Sequence, residues 1–154
     1  MPEGEPMAPG IRTLDHVVAY PDTDAGGIVY HGRYFDMAER SRQDILAQAG
    51  LSYALLERDY ATMLVIYRIG ALYHASAMLE DRLTIRTVIA DCGPARTTWV
   101  TTVSRSGEKL VTVRAEIVAL DIGTRAVRTH PGILLDRLAP FHERASPGPV
   151  SARI

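Results

Sequence analysis

The segment Ala19 to Tyr34 reads Ala-Tyr-Pro-Asp-Thr-Asp-Ala-Gly-Gly-Ile-Val-Tyr-His-Gly-Arg-Tyr. It sets two acids, a glycine pair and a histidine in a turn that runs directly into an amphipathic stretch. The first turn of a helix leaves backbone N–H groups unpaired and partly positive, so it can hold an anion or polarise a carbonyl. A carboxylate beside such donors is a catalytic pair suited to ester or thioester chemistry. The competing reading is that Asp22, Thr23 and Asp24 only form a turn and cap the helix, as an isolated Asp-Thr-Asp ordinarily would. Two other motifs fail on spacing. A calcium-binding loop starting at Asp22 needs Glu at its twelfth position, which is Arg33. A phosphatase-type Asp-x-Asp-x-Thr is broken by Gly26. No Gly-x-Ser-x-Gly elbow and no His/Cys cluster is present, so neither a serine nucleophile nor a metal is expected.

The elements that must position these residues follow from pattern. Arg12–Tyr20 reads as a strand ended by Pro21. Arg33–Ala49 reads as a helix, with Tyr34, Ala38, Ser41, Ile45 and Ala49 on one stripe and Arg33, Asp36, Arg40 and Asp44 elsewhere. Gly50 suits a left-handed cap, and Ser52 suits the N-cap of a short second helix to Arg58. Then come strands: Met63–Tyr73, Arg82–Ala90, Thr97–Arg105 and Leu110–Asp121, with Ala126–Thr129 as a short last one. Ser106-Gly107-Glu108 makes a hairpin turn between two of them. Val111, Val113, Ala115 and Ile117 are expected in the core. The order is strand, long helix, then antiparallel strands, so the helix must cover one face of the sheet. The fold class is α+β: one long helix wrapped by a curved antiparallel sheet, the arrangement called the hotdog fold.

Length and composition agree with one domain. The chain has 154 residues, 47% hydrophobic and 23% charged, with net charge −1, which fits a globular protein and does not favour nucleic acid as partner. One cysteine, Cys92, allows no internal disulfide. No apolar run is long enough to span a membrane, and residues 1–10 lack the apolar core of a signal peptide, so a cytoplasmic location is expected. Residues 1–10 and 141–154 read as tails, and 11–140 as the domain.

Tyr20-x-Asp22-Thr23-Asp24-Ala25-Gly26-Gly27-x-Val29-Tyr30-His31-x-x-Tyr34, then Glu39-Arg40-x-Arg42, then Tyr73-x-Ala75-x-Ala77-x-Leu79-x-Asp81-x-Leu83 resemble hotdog-fold acyl-CoA thioesterases of the 4-hydroxybenzoyl-CoA thioesterase type. The resemblance is to the branch found with the Tol-Pal system (YbgC-like). It implies hydrolysis of an acyl-CoA thioester, with Asp24 in the place of the catalytic carboxylate, acting as nucleophile or general base. The N–H groups around His31 and Gly32 would hold the oxyanion, and Gly26 and Gly27 would permit the turn and a close approach of the acyl group. His31 would bind the substrate carbonyl or orient Asp24. Tyr34 reads as packing with its hydroxyl near the acyl site. Glu39, two turns beyond His31, is a fallback base on the same face, and pairing with Arg42 is its alternative.

No cofactor is implied, since coenzyme A is part of the substrate. Its phosphates call for basic side chains, with Arg96 and Arg128 as candidates and solvated surface arginines as the alternative. Gly93-Pro94-Ala95 lacks the basic cluster some relatives carry, and Ser76 stands where proline is usual. An acyl carrier protein could replace coenzyme A as thioester donor. The resemblance further implies a homo-oligomer, dimer or tetramer, with sheets paired edge to edge. The alternative functions are a hotdog hydroxyacyl-thioester dehydratase with His31 as base, and a non-catalytic acyl-thioester-binding or envelope-associated adaptor. His16, His74, His130 and His142 have no ligand spacing and read as structural or surface residues.

Overall fold

The computed structural model describes residues 13–143; the sequence-based tail 1–10 and most of the tail 141–154 lie outside them. Strand β1 (Thr13–Val17) leads through a single 3₁₀ turn (Tyr20–Asp22) and a loop into helix α1 (Arg33–Gln48). Helix α2 (Tyr53–Tyr60) follows, then β2 (Thr62–Tyr73), β3 (Arg82–Cys92), β4 (Thr97–Arg105), β5 (Glu108–Asp121), β6 (Val127–Arg128) and helix α3 (Gly132–Leu138).

The sheet is antiparallel throughout, in the order β1-β3-β4-β5-β2. β6 pairs with β5 at Ala119 and Leu120, beyond the point where β4 begins opposite Ile117. β4 and β5 meet through a two-residue turn in which Ser106 (φ 49°) and Gly107 (φ 81°) are both left-handed, the geometry that matches strand twist.

α1 lies across β3, β4 and β5. Its buried stripe includes Tyr34, Ala38, Ser41 and Ile45, and the small Ala38 and Ser41 let the helix sit close to the strands. It ends with the Leu51 N–H on the Leu46 carbonyl (2.8 Å) and the Gly50 N–H on the Ala47 carbonyl (3.0 Å), the paired bonds of a left-handed terminator. Ser52 caps α2 by accepting from the Leu55 N–H at 3.0 Å. Val111, Val113, Ala115 and Ile117 are buried beneath α1. This is the hotdog arrangement expected from the order of elements.

α3 has no counterpart in the sequence-based elements. Its Leu134 and Leu138 are fully buried with Ile45, Leu46 and Trp99, and plug the end of the core under the C-terminal half of α1. The fold also continues past residue 140. Phe141 is buried, His142 bridges to Ile89 in parallel, and the Glu143 N–H donates to the Ile89 carbonyl (2.9 Å). β1 pairs with β3 only as far as Arg86, so this segment covers the β3 edge that β1 leaves open. Residues 141–143, read as tail, are part of the packed domain. Among the described residues no helix is long and apolar enough to cross a membrane.

Candidate active site

The loop carrying Asp24 closes on itself as a small hairpin. Thr23 bridges Val29, the Asp24 N–H donates to the Ile28 carbonyl (3.0 Å), and the Gly27 N–H donates to the Asp24 carbonyl (3.0 Å). Gly27 has φ +78°, a region that strains any residue with a side chain. The Gly26 N–H donates to Asp24 Oδ1 at 2.8 Å, which orients the carboxylate. Its other oxygen has no hydrogen bond among the described residues.

Asp22 is engaged elsewhere. Its Oδ2 accepts from the Ala19 N–H (2.9 Å) and meets His16 Nε2 (2.8 Å), and Arg33 Nε lies 3.7 Å from Oδ1. Burial alone would raise the Asp22 pKa, but the Ala19 amide, His16 and Arg33 outweigh it and hold the carboxyl below the usual range. Arg33 also donates to the Pro21 carbonyl at 3.0 Å. Asp22 therefore ties the loop to β1 and α1. Turn formation by Asp22 and Asp24 is realised, but neither caps α1, whose N-cap position is Gly32 with no side-chain cap.

The helix entry is thereby left open. Among the described residues the N–H groups of His31 and Gly32 have no hydrogen-bond partner. A Cβ on Gly32 would lie 2.7 Å from Tyr30 Cε1, so the absence of a side chain lets the Tyr30 ring fold back over this corner. Asp24 lines two cavities. One, of about 490 Å³, is shared with Thr23, Tyr30, Gly32 and Arg33. The other, of about 340 Å³, is shared with Val29, His31, Tyr34, Tyr73 and His74.

The structure thus brings together Asp24, Gly26, Gly27, His31, Gly32 and Tyr34. The His31 ring lies tilted against Tyr30 (centroids 4.3 Å apart, planes at 46°) and forms no hydrogen bond to Asp24. Tyr34 is buried, which raises its pKa, and its hydroxyl accepts from the Ala77 N–H at 3.4 Å.

Glu39 is not with them. It lines a third cavity, of about 240 Å³, with Tyr53, Glu57 and the Thr62–Ile66 part of β2. The extrapolation of two helical turns from His31 fails because the helix begins only at Arg33. Glu39 accepts from Arg42 Nη2 and from the Tyr53 hydroxyl (2.8 Å). Partial burial would raise the Glu39 carboxyl, but these two donors hold it below its ordinary value, while burial and Glu39 push the Tyr53 hydroxyl up. Arg96 and Arg128 also stand away from Asp24 within one chain. Arg96 pairs with Glu116 (3.1 Å) and lies over the Tyr67 ring (5.5 Å). Arg128 donates to the Tyr60 carbonyl (3.1 Å) and stands 3.8 Å from Asp121.

Two residues of the site have no functional role assigned from the sequence, which reads His74 as a structural or surface residue. Tyr73 and His74 enter the Asp24 cavity from the end of β2. Tyr73 has a signal in the Tyr73-x-Ala75-x-Ala77 motif, whereas His74 falls at one of its unspecified positions. Among the described residues no three His, Cys, Asp or Glu side chains are grouped as metal ligands would be.

Residues 18–147 match the family model described as the thioesterase-like superfamily. The chain is 28% identical over 106 residues to the acyl-CoA thioesterase YbgC of Haemophilus influenzae, covering 69% of this chain and 78% of that protein. It is 39% identical over 72 residues to the acyl-CoA thioester hydrolase YbgC of Escherichia coli, covering 47% of this chain and 53% of that one. Among solved structures, a probable thioesterase from Bartonella henselae aligns with a TM-score of 0.73 at 26% identity, over 79% of this chain and 100% of that one. With a turn, helix entry and sheet of this kind, and a family match over most of its length, the chain belongs to the thioesterase-like superfamily.

Proposed function

We propose that the protein hydrolyses acyl-CoA thioesters to a carboxylic acid and free coenzyme A. The observation that carries this is the Asp24 carboxylate, with one oxygen held by Gly26 and the other open, at a helix entry where the His31 and Gly32 N–H groups are unpaired. An acyl carbonyl seated there would meet a nucleophile or general base on one side and oxyanion donors on the other. The C–S bond breaks, a C–O bond forms with the oxygen of water, and the thiolate of coenzyme A takes up the proton. No cofactor enters that balance. His31 and Tyr34 border the acyl carbonyl, and an acyl carrier protein thioester presents the same bond.

The functional unit is a homodimer, or a tetramer built from such dimers. β2 is a sheet edge of twelve residues on which Ile66, Tyr67, Leu72 and Tyr73 are exposed, an aggregation hazard unless another chain pairs with it. Antiparallel pairing of two β2 edges sets the Tyr73 end of one beside the Thr62 end of the other. The Glu39–Tyr53 cavity and Arg96 of one copy then border the Asp24 cavities of its partner, where Glu39 meets the acyl group and Arg96 and Arg128 meet the phosphates of coenzyme A. A cytoplasmic location fits a free acyl-CoA substrate; an envelope or Tol-Pal connection is a question of partners.

Steady-state hydrolysis of a panel of acyl-CoAs tests the reading. Asp24→Asn is expected to lower turnover at least about a hundredfold without loss of fold, the scale of a positioned acid or base. Wild-type rates in that variant would remove Asp24 from the chemistry. Enoyl-CoA hydration, or binding without turnover, would favour the dehydratase or adaptor readings.

A further inference from the structure

We infer that Tyr73 is a positioning residue for the oxyanion contact, holding the His31–Gly32 peptide through the His31 carbonyl. The inference rests on the thioesterase reading above. The Tyr73 hydroxyl donates to the His31 carbonyl oxygen at 2.9 Å, joining residues 42 positions apart. That carbonyl and the Gly32 N–H belong to one peptide unit. A trans peptide is planar with its C=O and N–H pointing oppositely, so fixing one edge fixes the direction of the other. A donor on the oxygen also polarises the unit, which makes the N–H a stronger donor.

The anchor is itself held. Tyr73 pairs with Val111 in the sheet register, and its ring meets Tyr34 edge-on, with centroids 5.8 Å apart and planes at 65°. Tyr34, in the first turn of α1, is packed in the core. A continuous set of contacts therefore runs from the core to the helix entry. His31 has little else to fix it: its N–H is unpaired and its exposed ring rests on Tyr30. Partial burial, with Tyr30 nearby, raises the Tyr73 pKa, so its hydroxyl keeps the proton it donates. Gly32 lines one Asp24 cavity, and His31 and Tyr73 line the other, so the two residues joined by this peptide contribute to both.

Tyr73→Phe isolates the hydroxyl, because the ring and its contact with Tyr34 remain. With an acyl-CoA that the wild type hydrolyses, kcat is expected to fall about tenfold, the scale of one neutral hydrogen bond. KM and melting temperature are expected to stay unchanged, the pattern of an interaction felt in the transition state. The Gly32 amide proton, followed in ¹H–¹⁵N spectra, is expected to move upfield as its peptide loses polarisation. An unchanged kcat, a loss confined to KM, or an unmoved Gly32 resonance overturns the inference. An active wild type with an unaffected Tyr73→Phe sinks this inference alone; a wild type inactive on every acyl-CoA sinks the thioesterase reading beneath it.

Discussion

Arg42 is the most buried charge described in the molecule, with 2% of its side chain exposed, and only Nη2 meets a partner, the Glu39 carboxylate. Its Nε and Nη1 are buried without hydrogen bonds. Glu39→Gln keeps the shape and an acceptor for the Tyr53 hydroxyl but removes the charge that faces this guanidinium. Breaking a fully buried pair from one side costs about 3–5 kcal/mol, because the remaining charge stays desolvated. Here the Glu39 side chain is 46% exposed, so water reaches one end of the pair and the loss is expected near the bottom of that range or below, about 2 kcal/mol. Arg42→Met removes the cation and both orphaned N–H groups together. It is expected to be close to neutral, and the double variant to be more stable than Glu39→Gln alone. Urea denaturation at several protein concentrations measures this, the series being needed because association shifts apparent stability. A Glu39→Gln variant within about 0.5 kcal/mol of wild type, the scale of an ordinary surface substitution, would show that the pair is not what keeps Arg42 in the core.

Two further outcomes are open to measurement. His130 is 4% exposed and neither ring nitrogen reaches a hydrogen-bond partner. Burial pushes its pKa below 6.5, against a weaker opposing effect of the Ile117 backbone. The unfolded chain then binds more protons than the folded one below that value, so stability is fully present above it and declines as pH falls toward the folded pKa. The urea midpoint of the wild type should drop between about pH 7 and pH 5 more than that of His130→Leu; equal slopes would remove His130 as the cause. Tyr67 is 63% exposed midway along the β2 edge, and Tyr67→Lys sets two cations near each other across a paired edge. Light scattering should find the wild type at a multiple of the chain mass and the variant shifted toward monomer; a monomeric wild type would end the edge-pairing proposal.

The sequence by itself determined what depends on neighbours in the chain. The stripe Tyr34, Ala38, Ser41 and Ile45 specifies α1, because burial of one face needs only the helical period. Gly50 and Ser52 specify where one helix stops and the next begins, through bonds that reach no further than a few residues. Alternation along β5 picks out Val111, Val113, Ala115 and Ile117 as core, since side chains on a strand change faces at every residue. The Asp24 turn is local as well, closed by Gly26, Gly27 and Ile28.

Tertiary structure alone decided which of these pieces meet. His16 reaches Asp22 and Tyr73 reaches His31 only after strands and helix have packed. Glu39 faces Tyr53 and β2 rather than His31 because residue 31 precedes the helix and does not share its angular period. α3 is a seven-residue helix, too short to be stable from propensity; it exists because Leu134 and Leu138 find a cavity under α1 to fill. Residues 141–143 extend the sheet because β1 stops short and leaves the edge of β3 unpaired. Periodicity and capping act within a few residues, whereas the partners of a buried or catalytic side chain are set by packing between segments that the sequence keeps far apart.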